Sequence, residues 1–327
     1  MLAGKDLKGV CVMPPTPCKP GADGWDATDS VDLDEAARMA EKLISGGVAS
    51  IAACGTTGEC AALLWDEKLA FIDTLVQVNR ARVPIFAGAT ALGTKECVRQ
   101  MRGLKDVGAE GAFLGLPLWQ TPTLENSVQF FADLAEAVPD MPIMIYANSM
   151  FFKSTFPTAF WEGVGKKAPT VITNKVAYGI DHLLDDIRVA GHQVNFMPGQ
   201  NTTYPAWKAA REAGTPISAC WSTSAAMGPE PIVALMDAML RDDVAKVEQI
   251  WVDLQSVPPM IPHGEFSHFP EYNAQVEKAR FRASGFVNCG PSRAPYRDLP
   301  EHWAKQAEAH GKGWAELRKR YLPAAVA

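Results

Sequence analysis

Eight short apolar runs recur along the chain up to Trp221. They occupy residues 9–13, 48–54, 83–88, 111–116, 142–146, 170–175, 194–199 and 217–221. Their apolar residues are consecutive rather than alternating, which predicts strands buried on both faces. Between them the pattern changes period. Val31, Leu33, Ala37, Ala40, Leu43 and Ile44 fall on one helical face, as do Leu69, Ile72, Leu75 and Val76. Further helices are predicted to begin near Thr94, Thr123, Phe156, Asp181, Thr203 and Pro229, with Gly or Pro at many joins, as at Gly46-Gly47 and Gly214-Thr215-Pro216.

Strand and helix alternating eight times predict an α/β chain folded as a (β/α)₈ TIM barrel. A doubly wound open sheet is the alternative, but no GxGxxG follows the first strand. Beyond the eighth strand, helical patterns cover 243–255, 272–284 and 301–321, with a Pro-rich loop at 257–264 between the first two. The expected organisation is a barrel over 1–235 and additional C-terminal helices, a helical extension over 236–327 packed on the barrel.

Composition narrows the function classes. The chain has 327 residues, 47% of them hydrophobic, enough for a large core. A net charge of −6 argues against a nucleic-acid partner. No apolar run approaches the roughly 18 residues of a membrane span, and the N-terminus carries no signal-peptide pattern. Seven scattered cysteines without a CxxC pair fit reduced thiols, so a cytoplasmic location is expected. Six histidines form no HxxxH or HExxH pattern, and no metal site is expected.

In a barrel, reactive groups stand at the C-terminal ends of strands. After the second strand comes Gly55-Thr56-Thr57-Gly58-Glu59, whose amides and hydroxyls suit a carboxylate or phosphate. A plain strand-to-helix turn is the other reading. The fifth strand ends at Tyr146, followed by Ala147 and Asn148. A phenol there can move protons, although a lone buried tyrosine is more often a satisfied core residue. The sixth strand ends at Lys175. Desolvation in a barrel mouth frees a lysine amine as a nucleophile, whereas a strand ending earlier would leave it on the surface.

Taken together, these residues resemble the N-acetylneuraminate lyase and dihydrodipicolinate synthase superfamily of pyruvate-dependent class I aldolases. The features carrying the resemblance are Gly55 to Glu59, Tyr146, Lys175 and the opening Met13-Pro14-Pro15-Thr16-Pro17, and it spans about residues 8 to 320. Within the superfamily the chain looks most similar to the hydratase-aldolases of polycyclic aromatic degradation. That likeness rests on Gly55 to Cys60, Tyr146-Ala147-Asn148, Gly264 to Ser267, Tyr272-Asn273, Glu277 to Arg280 and Gly290 to Tyr296. Synthases of the superfamily usually carry a tyrosine pair where this chain reads Pro117-Leu118-Trp119-Gln120.

The resemblance implies that Lys175 forms a Schiff base, Tyr146 acts as general acid and base, and Gly55, Thr56 and Thr57 hold a pyruvyl carboxylate. Asn148 would help place water or the C4 oxygen. The substrate would be a small aromatic keto acid, an arylidene pyruvate, hydrated and then cleaved to an aromatic aldehyde and pyruvate. No cofactor is implied beyond the covalent Schiff base on Lys175, and the assembly implied is a homotetramer. Other Schiff-base aldolases, dehydratases or synthases of the superfamily are the alternatives, as is a non-catalytic keto-acid-binding barrel. Trp221, Phe269 and Asn273 are candidates for an aryl pocket, with core packing as the plainer role for Trp221 and Phe269. Ser222 and His263 are candidates for contact with a ring substituent. A His263 cation would favour an ortho-carboxylate over an ortho-hydroxyl. Trp119 would line either the pocket or a subunit contact, the contact being preferred because aromatics are enriched at interfaces.

Overall fold

The computed structural model describes residues 1–323. All eight apolar runs form strands: β1 (Gly9–Val12), β2 (Ser50–Ala53), β3 (Ile85–Gly88), β4 (Gly111–Leu114), β5 (Ile143–Ala147), β6 (Val171–Val176), β7 (Asn195–Met197) and β8 (Ala219–Ser222). They pair in parallel in the order β7-β6-β5-β4-β3-β2-β1-β8. The ring closes just past β7, where Gly199 bridges Trp221. The Trp221 amide donates to Pro198 O at 3.0 Å and the Gln200 amide to Trp221 O at 2.9 Å. This is the (β/α)₈ barrel. Strands β2 to β6 are buried throughout, so consecutive apolar residues serve one face toward the barrel axis and the other toward the helices.

The crossovers are α1 (Leu33–Ser45), α2 (Trp65–Asn79), α3 (Thr94–Asp106), α4 (Leu124–Ala137), α5 (Ser149–Phe152), α6 (Thr158–Lys167), α7 (Leu183–Ala190), α8 (Thr203–Glu212) and α9 (Glu230–Leu240). Local chemistry sets several starts. Asp32 and Thr123 cap α1 and α4 through their side chains. Val31 lies outside α1, in an antiparallel bridge to Cys18. The one-turn α5 was absent from the sequence pattern. It forms because Asn148 Oδ1 accepts from the amides of Met150 and Phe151, at 2.9 and 3.2 Å.

Three helices follow: α10 (Val244–Gln255), α11 (Phe269–Ser284) and α12 (Glu301–Lys319). Helix α11 starts three residues before Tyr272, with Pro270 in its first turn. Position 235 falls inside α9, which packs on β1. Helices α11 and α12 pack against each other and reach the barrel mouth. No helix among the described residues is long and apolar enough to cross a membrane.

Candidate active site

Tyr146 and Lys175 are register partners on neighbouring strands β5 and β6. Their side chains therefore leave the sheet at the same height and on the same face. Tyr146 is held by its neighbours: Phe113 stacks on it with centroids 5.0 Å apart, and Phe152 meets it edge-on at 5.2 Å. Gly55 makes room for this stack, because a Cβ there would lie 2.8 Å from the Phe113 ring. The Tyr146 hydroxyl lies 3.3 Å from Thr56 Oγ1 and 3.4 Å from Asn148 Nδ2. Asn148 thus spends its oxygen on the start of α5 and turns its amide nitrogen to the phenol.

Lys175 is 6% exposed. Its Nζ lies 3.9 Å from the Tyr146 ring centroid and 4.1 Å from that of Trp221. Two aromatic faces, rather than a carboxylate, flank the amine. Trp221 is fixed in turn: its indole N–H donates to Val176 O at 2.8 Å. A Cβ on Gly199 would come within 2.8 Å of the indole, so the bare backbone of β7's end lets the ring lie flat against it.

These groups open onto a cavity of about 640 Å³, within the usual range for small-ligand sites. Thr57, Tyr146, Asn148, Lys175 and Trp221 line its floor. One wall is apolar, built by Trp251, Met260, Ile261, Phe266 and Phe269. The lining also holds a polar group, Gln200, Thr223, Asn273, Glu277, Arg280 and His310.

Arg280 is the hub of this polar group. Arg280 donates from Nε and Nη2 to Glu277 Oε2 at 2.9 and 2.5 Å. It also reaches Ser224 Oγ at 2.7 Å, Thr223 Oγ1 at 2.5 Å and His310 Nε2 at 3.0 Å. Its five N–H groups make five hydrogen bonds to four acceptor atoms. His310 Nδ1 contacts Pro258 O at 2.6 Å. Burial and the adjacent Arg280 push His310 down to about 3, so the ring is neutral and both nitrogens are engaged. Gln200 joins the network by donating to Ser224 Oγ at 2.6 Å and accepting from Ser222 Oγ.

The structure brings Lys175, Tyr146, Thr57, Asn148, Trp221, Phe269 and Asn273 to one cavity. Thr56 touches the Tyr146 hydroxyl, and Gly55 serves the Phe113 stack. Three candidates lie elsewhere. Ser222 is buried, and its hydroxyl faces Gln200 and the Ala225 amide. His263 is exposed and absent from the cavity lining, since the wall is made by residues on either side of it in the loop. Trp119 is 84% exposed and also outside the lining. The Glu277–Arg280 pair and Gln200 were not singled out as site residues. Their only sequence signal was membership of matching stretches for the first two and position after the seventh strand for Gln200.

Glu59, the last residue of the turn at 55–59, points away from the cavity. Its Oε2 pairs with Lys278 Nζ at 2.5 Å and with Arg293 Nη1 at 2.6 Å, all three side chains being buried. The Arg293 amide donates to Oε1 at 2.7 Å. Thr16 Oγ1 donates to Gly58 O at 2.8 Å. The turn is thereby tied to α11 and to the loop after it. Among the described residues no group of three or more His, Cys, Asp or Glu side chains is placed to hold a metal ion.

Comparison with known proteins agrees with this geometry. A trans-O-hydroxybenzylidenepyruvate hydratase-aldolase from Pseudomonas aeruginosa is 42% identical over 98% of this chain and 96% of its own. A trans-2'-carboxybenzalpyruvate hydratase-aldolase from Nocardioides sp. (strain KP7) is 33% identical over 97% of this chain and 96% of its own. The solved structure of PhdJ bound to substrate intermediate superimposes with a TM-score of 0.93 at 35% identity, covering 98% of this chain and 99% of that one. The profile of the dihydrodipicolinate synthetase family matches residues 20–257, and the chain belongs to that family.

Proposed function

We propose that the protein is a class I hydratase-aldolase, a lyase that adds water to an arylidene pyruvate and cleaves the product to an aromatic aldehyde and pyruvate. The observation that carries this reading is the Lys175 amine, buried between the Tyr146 and Trp221 rings on the floor of a half-apolar cavity. As its free base Lys175 attacks the C2 ketone. Loss of water leaves an iminium, with Thr57 and its turn holding the carboxylate and the Tyr146 phenol supplying and removing protons at C2 and C3. The iminium draws electrons along the C3–C4 double bond, so water adds at C4. In the 4-hydroxy iminium the C3–C4 bond then breaks. Its electron pair enters the enamine and the aldehyde departs. Protonation at C3 and hydrolysis return pyruvate and the amine. As written, the sequence needs neither metal nor organic cofactor. The relatives whose names carry this activity support the same reading.

The ring is best read as bearing an ortho-hydroxyl. The Arg280 donors are all committed, His310 is neutral, Lys175 is consumed in the covalent bond, and Glu277 adds a carboxylate to the lining. An ortho-carboxylate would enter without a counter-ion, which is costly in a desolvated site. This reverses the preference drawn from His263. We further propose a homotetramer in which the exposed Trp119 and Leu118 lie in a subunit contact, and, from the seven free thiols, a cytoplasmic location.

Borohydride reduction in the presence of pyruvate should add one covalent mass at Lys175, and Lys175→Ala should remove it. Arylidene pyruvates should bleach on turnover, faster with ortho-hydroxyl than ortho-carboxyl. Unlabelled wild-type protein would refute the Schiff base. A carboxylate preference would refute the substituent assignment.

A further inference from the structure

Building on that reading, we infer that Glu277 is the base that serves the C4 oxygen, taking a proton from water in hydration and from the C4 hydroxyl in cleavage. Nothing in the Schiff-base steps at C2 and C3 uses this residue, yet it lines the reaction cavity at 2% exposure. A buried carboxylate in a reaction cavity is a site for chemistry or an ion pair. Here the ion pair accounts for half of it. Both Arg280 hydrogen bonds converge on Oε2, and among the described residues Oε1 receives none. The guanidinium fixes the rotamer and leaves one oxygen for a ligand in the cavity. Because Arg280 is itself held by Thr223, Ser224 and His310, the carboxylate is positioned by β8's end, α11 and α12 together.

A second polar group shares the position. Asn273 stands one helical turn before Glu277 on α11, lines the same cavity, and is 8% exposed. Its Oδ1 is sealed from solvent and has no hydrogen-bond partner. Glu277 and Asn273 thus place two polar side chains of one helix face in the cavity lining, each with an oxygen that lacks a protein partner among the described residues. A water molecule, and later the C4 hydroxyl, would meet Glu277 Oε1 there.

The proton accounting closes. In hydration the water oxygen bonds to C4 and the C3=C4 pair moves to C2–C3. The iminium pair moves to nitrogen, and the water's proton passes to Oε1. C3 then gains one proton and restores the iminium, so H and OH have been added across the double bond, and Glu277 releases its proton. In cleavage Oε1 takes the hydroxyl proton, the C4 oxygen becomes a carbonyl, and the C3–C4 pair becomes the enamine.

The test separates C4 chemistry from Schiff-base chemistry. In wild type and Glu277→Gln, three rates are measured: bleaching of the arylidene pyruvate, cleavage of the corresponding 4-hydroxy-2-keto acid, and deuterium exchange into the pyruvate methyl group. Exchange needs the amine and the enamine but no C4 oxygen. The expected result is about a 10²-fold loss in both C4 reactions with less than about a 10-fold loss in exchange. Glu277→Asp, which keeps a carboxylate, should recover part of the C4 rates. Parallel loss of all three rates, or retention of the C4 rates, overturns the assignment. Should Glu277→Gln fail to fold, Glu277→Asp is read by the same ratio of C4 rates to exchange. Absence of exchange in the wild type would instead refute the Schiff-base reading.

Discussion

Replacing Glu59 by Gln tests whether the buried ion cluster, rather than the turn sequence itself, holds the site. The substitution removes one negative charge from between two cations that water does not reach, Lys278 and Arg293. Breaking a buried pair costs about 3–5 kcal/mol, because the surviving charge is left uncompensated. Two features draw this case toward the lower end. Lys278 keeps Pro291 O at 2.6 Å, and burial already holds its amine below the usual lysine range, so it can shed its proton. Arg293 keeps Ser30 Oγ and the carbonyls of Thr16, Pro17 and Ser30. A loss of about 3 kcal/mol is expected, a large share of the roughly 5–15 kcal/mol by which folded proteins are stable. Urea unfolding followed by tryptophan fluorescence, at fixed protein concentration, reads it directly. Adding Lys278→Met to Glu59→Gln should restore part of the loss, since it removes an unpaired buried charge. The turn should also loosen, raising KM for pyruvate in the exchange reaction. A loss below about 1 kcal/mol at unchanged denaturant slope would refute the reasoning.

Other outcomes follow from the same structure. His310 titrates near 3 when folded against an ordinary 6.5. As pH falls below 6.5 the unfolded chain takes up a proton the native state refuses, so stability should drop by about 1.4 kcal/mol per pH unit from this residue. His310→Gln should flatten that acid limb in urea titrations, and an unchanged slope would contradict it. All seven thiols are pushed up by burial, Cys11, Cys54 and Cys220 to about 12. The native protein at pH 8 should react slowly with a thiol reagent and rapidly once unfolded. The stability these neutral thiols contribute is present below pH 9 and should decline as pH rises through 9 toward 12. Fast native labelling of all seven would exclude this. Gly199→Ala puts a methyl 2.8 Å from the Trp221 indole. Turnover should fall about 10- to 100-fold through displacement of the ring beside Lys175, and wild-type kinetics would show that the ring's position is immaterial.

The eight strands, the closed barrel and the placing of Lys175 and Tyr146 at one mouth were legible in the chain. Consecutive apolar residues mark a strand buried on both faces, and a strand's end is local information. Once strands are aligned in a parallel barrel, the residues at their ends share a rim whatever lies between them. Lys175, Tyr146, the turn at 55–59 and Trp221 were placed at the mouth in this way, while Thr57 and Asn148 were named by family resemblance. Phe269 and Asn273, away from the strand ends, also line the cavity, but His263 and Ser222 do not. His263 and Ser222 were chosen for their chemistry, but the path of the 257–269 loop and the turn after β8 decides which side chains face the cavity. The short α5 arose from one Asn side chain rather than from any period. Glu59 stood inside a recognisable turn, and its partners lie more than 200 residues away on α11 and the following loop. Glu277 and Arg280 read as one more charged helical turn until α11, α12 and the end of β8 are packed together. Periodicity reports what a residue does with its neighbours in the chain. Which charge meets which, and which wall is polar, depends on contacts between distant segments that only the folded barrel brings within hydrogen-bonding distance.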